Sequence, residues 1–401
     1  VRLQYLSAPE AAARLGVSRG SLYSYVSRGR LRAEPDPHDS RVSRYVSDDV
    51  ERLRERKEAR RHPEAAARRT LDMGLPVLES ALTLIDKGRI YYRGRDVAAL
   101  ARRARFEDVV RLLWEDDTRE PRLAAMSPVC RETLSQLRAL PAIRRMQAIL
   151  PIAAAEDLTA FDTGREHVMK SGWRALALLA AAATGRDSNR AANVADALVD
   201  GWHVRHRSGR RLLDMALILC ADHELNVSAF TARVVASARS SPYDVVGAGL
   251  AALRGPLHGG HTTRVEALLD EAGSPRCLHA AIAARVRKGE TVPGFGHPLY
   301  PRGDPRARAL LSAVRRLWPS SEPTMFARAL QRSGRTLLGE HATIDVALVI
   351  LRRALALPGD AALTIFALGR TAGWIAHAIE QYERHQLIRP RAAYTGVPPR
   401  R

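Results

Sequence analysis

Two patterns of apolar and polar positions divide the chain. Over residues 1 to about 62 the apolar groups are short and capped. Ser7 with Glu10 forms a capping box ahead of an alanine-rich helix ending near Gly16, and Ser18 caps a second helix that stops at Gly29. Residues 29–46 offer two β-prone pieces around a Pro/Asp turn, and SDDVERLRERKEARR opens acidic and closes basic, as the helix dipole favours. The predicted order is helix, turn, helix, wing, helix. A polar, basic, alanine-rich join follows at residues 58–72, with a linker placed at 63–74. From Leu75 onward, stretches such as DVVRLLWEDD, WRALALLAAAATG and RLLDMALILCADHEL carry apolar residues at helical spacing, so the main body is predicted to be nearly all helix.

A chain of 401 residues holds two or three domains and buries a sizeable core. No period of 20 to 50 residues recurs, which excludes a solenoid. The most apolar stretch, around Ala175 to Thr184, is too short to cross a bilayer, and the N-terminal residues lack a secretory apolar region, so no membrane partner is expected. Cys130, Cys220 and Cys277 lie far apart without CxxC spacing, which indicates neither a disulfide framework nor a cysteine zinc site and fits a reducing cytoplasm. The formal charge is +20, and only four of the 63 basic residues are lysine. Part of that arginine excess has a genetic explanation in a GC-rich genome; the rest favours anionic partners.

The stretch LSAPEAAARLGVSRGSLYSYVSRGRL, followed by SRYVSDDVERL, resembles the winged helix-turn-helix of the MerR and excisionase type. The resemblance implies that the second helix reads nucleic acid through Arg19, Ser21, Tyr23 and Ser24, with Arg28, Arg30, Arg41 and Arg44 on the backbone. Residues 1–62 hold 14 basic groups against 9 acidic ones, only a quarter of the excess charge, so a packing or dimerising module that has lost its readout is the competing expectation.

Chemistry concentrates elsewhere. His223, His258 and His297 sit in DHELN, GPLHGGH and VPGFGHPLYPRGDPR, the last two framed by glycines that permit close ligand approach. His258 and His261 are three apart, yet no HExxH occurs and no carboxylate or cysteine falls at ligand spacing, so no metal site is expected. No P-loop and no strand-linked GxGxxG appears either.

Together GPLHGG, VPGFGHPLYPRGDPR, IFALGRTAGWIAHAIEQYERHQLIRPRAAYTG, YYRGRDVAALA and DHELNVSAFTARVVASARSSPYDVVGAGLAALRG closely resemble the citrate synthase family over roughly residues 75–400. The resemblance implies an all-α body, a large domain at 75–259 and 361–401 interrupted by a small one at 260–360, assembled as a homodimer without metal or redox cofactor. It implies that Asp345 is the base, that His258 holds the thioester enolate oxygen and that His297 polarises the keto group of oxaloacetate. Planar guanidinium forks suit a dicarboxylate. By resemblance these are Arg306, Arg370 and Arg389, the last reaching from the partner subunit, with His223 a further contact and Asn226 supporting the His258 loop. The acyl-CoA would lie along Val292, Pro293, Gly294, Phe295 and Gly296, with Arg285, Arg287 and Lys288 near its phosphates. The implied reaction joins acetyl-CoA or propionyl-CoA to oxaloacetate; a DNA-binding regulator that senses acyl-CoA or oxaloacetate is the alternative.

Two departures stand out. His261 and Thr262 occupy the positions where the family continues Ala-Asn, and the family's frame around the catalytic aspartate is reduced to Thr343, Ile344, Asp345, Val346, Ala347 and Leu348.

Overall fold

The computed structural model describes residues 5–27, 31–36, 39, 42–51, 53–54, 78–117, 123, 125–187, 191–392 and 394–397. It divides into two compact units, residues 1–79 and 80–401. The linker placed at 63–74 lies outside the described residues.

In the first unit, β1 (Tyr5–Ser7) leads into α1 (Ala8–Leu15), closed by left-handed Gly16, and then α2 (Arg19–Ser27). Ser7 and Glu10 make the capping box, and Ser18 Oγ accepts from the Ser21 amide at 3.4 Å. Strands β2 (Ala33–Pro35) and β3 (Ser43–Val46) follow, and the sheet order is β1-β3-β2, antiparallel throughout. Residues 47–51 begin a further helix. Ala11, Leu15, Leu22, Leu31, Tyr45 and Val50 form the core of this unit.

The second unit begins with a strand meander that helical periodicity did not predict: β4 (Thr83–Asp86), β5 (Arg89–Tyr92) and β6 (Arg95–Asp96). Its turns are Lys87-Gly88 and Arg93-Gly94, all four residues at positive φ, the two-residue geometry that suits the twist of paired strands. The x-Gly pairs were the available signal. Helices then follow: α3 (Val97–Arg103), α4 (Phe106–Trp114), α5 (Pro128–Gln136), α6 (Ala142–Glu156), α7 (Arg165–Thr184), α8 (Val194–Gly201), α9 (Gly209–Cys220), α10 (Val227–Ser237) and α11 (Pro242–Leu253). After them come α12 (His261–Ala272), α13 (Leu278–Arg287), α14 (Pro305–Leu317), α15 (Glu322–Ser333), a single π turn at Gly334–Leu338, α16 (Ile344–Ala354) and α17 (Ala361–Arg384).

The fold is thus mostly helical with two small sheets. α17 is its axis: residues from Ala361 to Tyr382 are buried almost continuously against α4, α7, α9, α10 and α11. This helix, not the stretch ending at Thr184, has the length and apolarity to cross a membrane, but 94% of its apolar window is buried inside the fold. Such all-round apolarity is what a central core helix requires. Its glycines let neighbours approach: a Cβ on Gly369 would stand 2.5 Å from the Leu217 carbonyl of α9.

Candidate active site

One cavity of about 280 Å³ gathers the three histidine-bearing turns singled out in the sequence. His223 and Asn226 come from the turn between α9 and α10. Asn226 caps α10, accepting at Oδ1 from the amides of Ser228 and Ala229 at 3.1 and 3.2 Å, and its amide nitrogen donates to the His223 carbonyl at 3.2 Å. The cap therefore fixes the turn. His223 is buried, with Nε2 2.7 Å from the Tyr300 hydroxyl.

His258 comes from the tight turn before α12, where the chain folds back on itself. A Cβ at Gly259 would meet the Leu253 carbonyl at 2.7 Å, and one at Gly260 the Gly255 carbonyl at 2.8 Å. Glycine is needed there for space. His258 Nε2 lies 2.8 Å from Ser228 Oγ, and its ring meets Phe366 edge-on at 6.0 Å.

His297 stands on the loop before α14, where Gly294 and Gly296 take left-handed φ values of 86° and 75°. Its Nδ1 accepts from the Leu299 amide at 3.2 Å, and its ring centroid is 5.1 Å from that of His223.

The charged groups complete the wall. Asp304 caps α14 and takes the Arg306 guanidinium side-on, Nε to Oδ1 at 3.0 Å and Nη2 to Oδ2 at 2.9 Å, while also accepting from the Ile344 amide at 3.0 Å. One carboxylate thus ties the Arg306 turn to the start of α16. Asp345, the second residue of α16, accepts from Thr343 Oγ1 at 3.0 Å. From α17, Arg370 donates through Nε to the Cys220 carbonyl at 2.8 Å and lies over the Phe366 ring at 4.9 Å. Both its terminal nitrogens are buried and have no partner among the described residues.

Burial dominates the electrostatics. With help from Arg370, His261 and Arg306, it pushes the His258 imidazole down to about 3, and with Arg306 it pushes His297 down to about 4. His223 is held well below its ordinary value by burial, Arg306 and Arg370. All three rings are therefore neutral donors and acceptors near pH 7. Burial raises the Asp345 carboxyl, against the opposing pull of His261, Thr343 and Arg306. A carboxylate made more basic, neutral imidazoles and unpaired guanidinium N–H groups form a site for an anion next to a proton acceptor.

Among the residues singled out by sequence, His223, Asn226, Gly294, Phe295, Gly296, His258, His297, Arg306, Asp345 and Arg370 line the cavity. Val292, Pro293, Arg285, Arg287, Lys288 and Arg389 do not. Arg285 is taken by Glu271, and Arg389 is exposed beyond the end of α17. Sequence reading missed Tyr300, Ser228 and Phe366; Thr343 was named only as a departure beside Asp345. Only Phe366, four residues before Arg370 on one helix face, carried a readable signal. His261, noted as a departure, lines the cavity beside Asp345. Among the described residues no cluster of three metal-ligating side chains occurs.

In the first unit, Ser21 and Ser24 of α2 are half-buried and Tyr23 is 64% exposed. Arg28, Arg30 and Arg41, and the side chain of Arg19, lie outside the described residues. Arg44, assigned to a nucleic-acid backbone, is instead engaged within the unit, 3.3 Å from Glu34 and stacked on Tyr5.

A family model described as citrate synthase, C-terminal domain, matches residues 71–391. The chain is 33% identical over 362 residues to the citrate synthase of Haloferax volcanii, covering 80% of this chain and 94% of that protein. It is 40% identical over 184 residues to citrate synthase 2 of Bacillus subtilis, covering 45% of this chain and 50% of that protein. It is 29% identical over 340 residues to 2-methylcitrate synthase 2 of Corynebacterium glutamicum, covering 76% of this chain and 88% of that protein. Among solved structures, the ternary complex of Thermoplasma acidophilum citrate synthase with carboxymethyl coenzyme A and oxaloacetate superposes with a TM-score of 0.72 at 25% identity, covering 82% of this chain and 96% of that one.

Proposed function

The chain belongs to the citrate synthase family, and on that premise we propose that it condenses acetyl-CoA with oxaloacetate to give citrate and CoA. The observation that carries this reading is the buried Arg370, whose terminal nitrogens have no partner among the described residues and which lines a cavity with Arg306, Asp345 and three neutral histidines. A dicarboxylate satisfies both guanidinium groups at once. Arg306 already spends one edge on Asp304, so Arg370 offers the free fork.

In this reading Asp345 removes a methyl proton from the thioester, its basicity raised by burial. The Ser228 hydroxyl donates to Asn226 Oδ1 at 2.8 Å and its oxygen holds His258 Nε2 at 2.8 Å, which fixes the ring that this reading assigns to the enolate oxygen. Leu299 occupies His297 Nδ1, which puts that ring's proton on Nε2 to polarise the keto oxygen. The enolate carbon attacks the keto carbon, and water then cleaves the thioester, releasing citrate, CoA and a proton. No step is assigned to a metal or redox cofactor.

Propionyl-CoA, giving 2-methylcitrate, is the near alternative, since one methylene in an apolar pocket is worth only about 1–3 kcal/mol. Release of CoA thiol, with acetyl-CoA and propionyl-CoA run in parallel and Asp345→Ala as control, tests the reading. Turnover abolished in the variant supports it and the ratio of donors names the product. A folded wild type silent with both donors overturns it.

Two further parts of the reading concern partners. Arg389 is assigned to the neighbouring active site of a homodimer, supported by the exposed apolar groups Leu158, Phe161, Tyr394 and Val397; a monomer in sedimentation would remove it. Residues 1–62 are read as a winged helix-turn-helix, supported by the order, among the described residues, of helix, left-handed Gly16, helix, antiparallel hairpin. Salt-dependent binding to duplex DNA tests that assignment. No observation favours a regulator without catalysis.

A further inference from the structure

A buried ionic cluster stands behind the cavity wall and has no part in the chemistry above. On α17, Gly369, Gly373, His377 and Glu380 share one face, which lies against the end of α9 and the turn after it. The approach is backbone to backbone. The Gly373 amide donates to the Ala221 carbonyl at 3.0 Å, and a Cβ at Gly373 would stand 2.5 Å from Asp222 Oδ1. His377 is fully buried, its Nε2 3.3 Å from Asp222 Oδ1 and its Nδ1 3.9 Å from Glu380 Oε2. Thr83 Oγ1 donates to Asp222 Oδ2 at 2.5 Å. Glu380 accepts from Arg233 Nη1 at 2.9 Å and from the Ala81 amide at 2.7 Å.

Ionic groups this deep bear a desolvation penalty that apolar residues of similar volume would not, so stability alone is a poor reason for their presence. Their place in the chain supplies a better one. Asp222 immediately precedes His223, and His377 lies two turns along the helix from Arg370.

We infer that Asp222 and His377 are positioning residues for the dicarboxylate site: the pair pins the turn carrying His223 and Asn226 to the helix carrying Phe366 and Arg370. Asp222 also sets a carboxylate behind Arg370. Against burial, which disfavours the Arg370 cation, Asp222 is the neighbour that most favours it. Arg306 has its countercharge, Asp304, in direct contact; Arg370 has Asp222 at one remove, which leaves both its terminal nitrogens for ligand. This role rests on the oxaloacetate reading, so binding is measured apart from turnover.

The experiment titrates oxaloacetate calorimetrically into the full chain and, separately, measures KM for each substrate. Wild type is compared with His377→Leu, which leaves Asp222 without its imidazole, and with His377→Gln, which keeps an N–H donor. His377→Leu is expected to weaken oxaloacetate binding and raise its KM by at least about 10-fold, as loss of alignment predicts, with KM for acetyl-CoA changed less than about 2-fold. His377→Gln recovers most of the loss. A folded His377→Leu protein that binds oxaloacetate as wild type does, or that loses affinity for both substrates equally, overturns the inference, as does His377→Gln no better than His377→Leu. Should His377→Leu fail to fold, Thr83→Val removes one hydrogen bond to Asp222; it is expected to weaken oxaloacetate binding by about 3-fold, and no change there is equally fatal. A wild type that binds no oxaloacetate sinks the functional reading itself and this inference with it.

Discussion

Gly369→Ala adds one methyl group beside Arg370, where α17 packs against α9. The new Cβ would lie 2.5 Å from the Leu217 carbonyl oxygen and 2.9 Å from Cys220 Cβ. Neither obstacle can rotate away, because one is main chain and the other is fixed to it. A tolerable carbon–oxygen contact needs roughly 3.3 Å, so the helices must part by about 0.8 Å. Overpacking of this kind costs about 1–3 kcal/mol, with the upper end expected against backbone. Alanine's better helix propensity returns about 1 kcal/mol. The net destabilisation is therefore about 2 kcal/mol. The same movement strains the 2.8 Å bond from Arg370 Nε to the Cys220 carbonyl and draws the guanidinium away from His223, so KM for oxaloacetate should rise by about 10-fold or more. Urea unfolding followed by tryptophan fluorescence measures the first effect, since all five tryptophans belong to the second unit. Initial rates measure the second. Gly359→Ala is the control, because nothing lies within 4 Å of its added Cβ. A Gly369→Ala protein with wild-type stability and wild-type KM, or equal losses at both glycines, would refute the reasoning.

Three other outcomes follow from the site. Arg370→Lys keeps the charge but loses the planar fork, so KM for oxaloacetate should rise by about 10–100-fold with little change in KM for acetyl-CoA; equal changes in both would count against the carboxylate assignment. His261 holds the Asp345 pKa down against burial, so His261→Ala should move the acidic limb of the kcat/KM profile to higher pH, and a limb that stays or moves down removes His261 from that role. His258 and His297 are kept neutral in the fold, at about 3 and about 4 against an ordinary 6.5. Between pH 6.5 and about 4 the unfolded chain therefore binds more protons, and stability present above pH 6.5 is lost on acidification, by on the order of 1–2 kcal/mol per histidine at pH 5. Melting temperatures that are flat or rising from pH 7.5 to pH 5 would contradict this.

The sequence by itself determined what depends on neighbours along the chain. The Ser7 and Glu10 capping box, the left-handed Gly16 and the helical run of the body are decided within three or four residues, because caps and periodicity act through adjacent turns. The turns bearing His258 and His297 were equally legible, since their glycines mark backbone that must bend sharply or approach closely. Even the missed meander was written locally, in Lys87-Gly88 and Arg93-Gly94. Only the tertiary structure decided which polar groups lose water together. Thr83 meets Asp222 and Ala81 meets Glu380 across more than a hundred residues, Asp304 takes one edge of Arg306, His261 turns toward Asp345's cavity, and Arg285 goes to Glu271 rather than to the site. The physical reason is desolvation: a buried charge or imidazole takes its partner, its tautomer and its affinity for protons from whatever surrounds it once water has gone, and that surrounding exists only when distant segments pack.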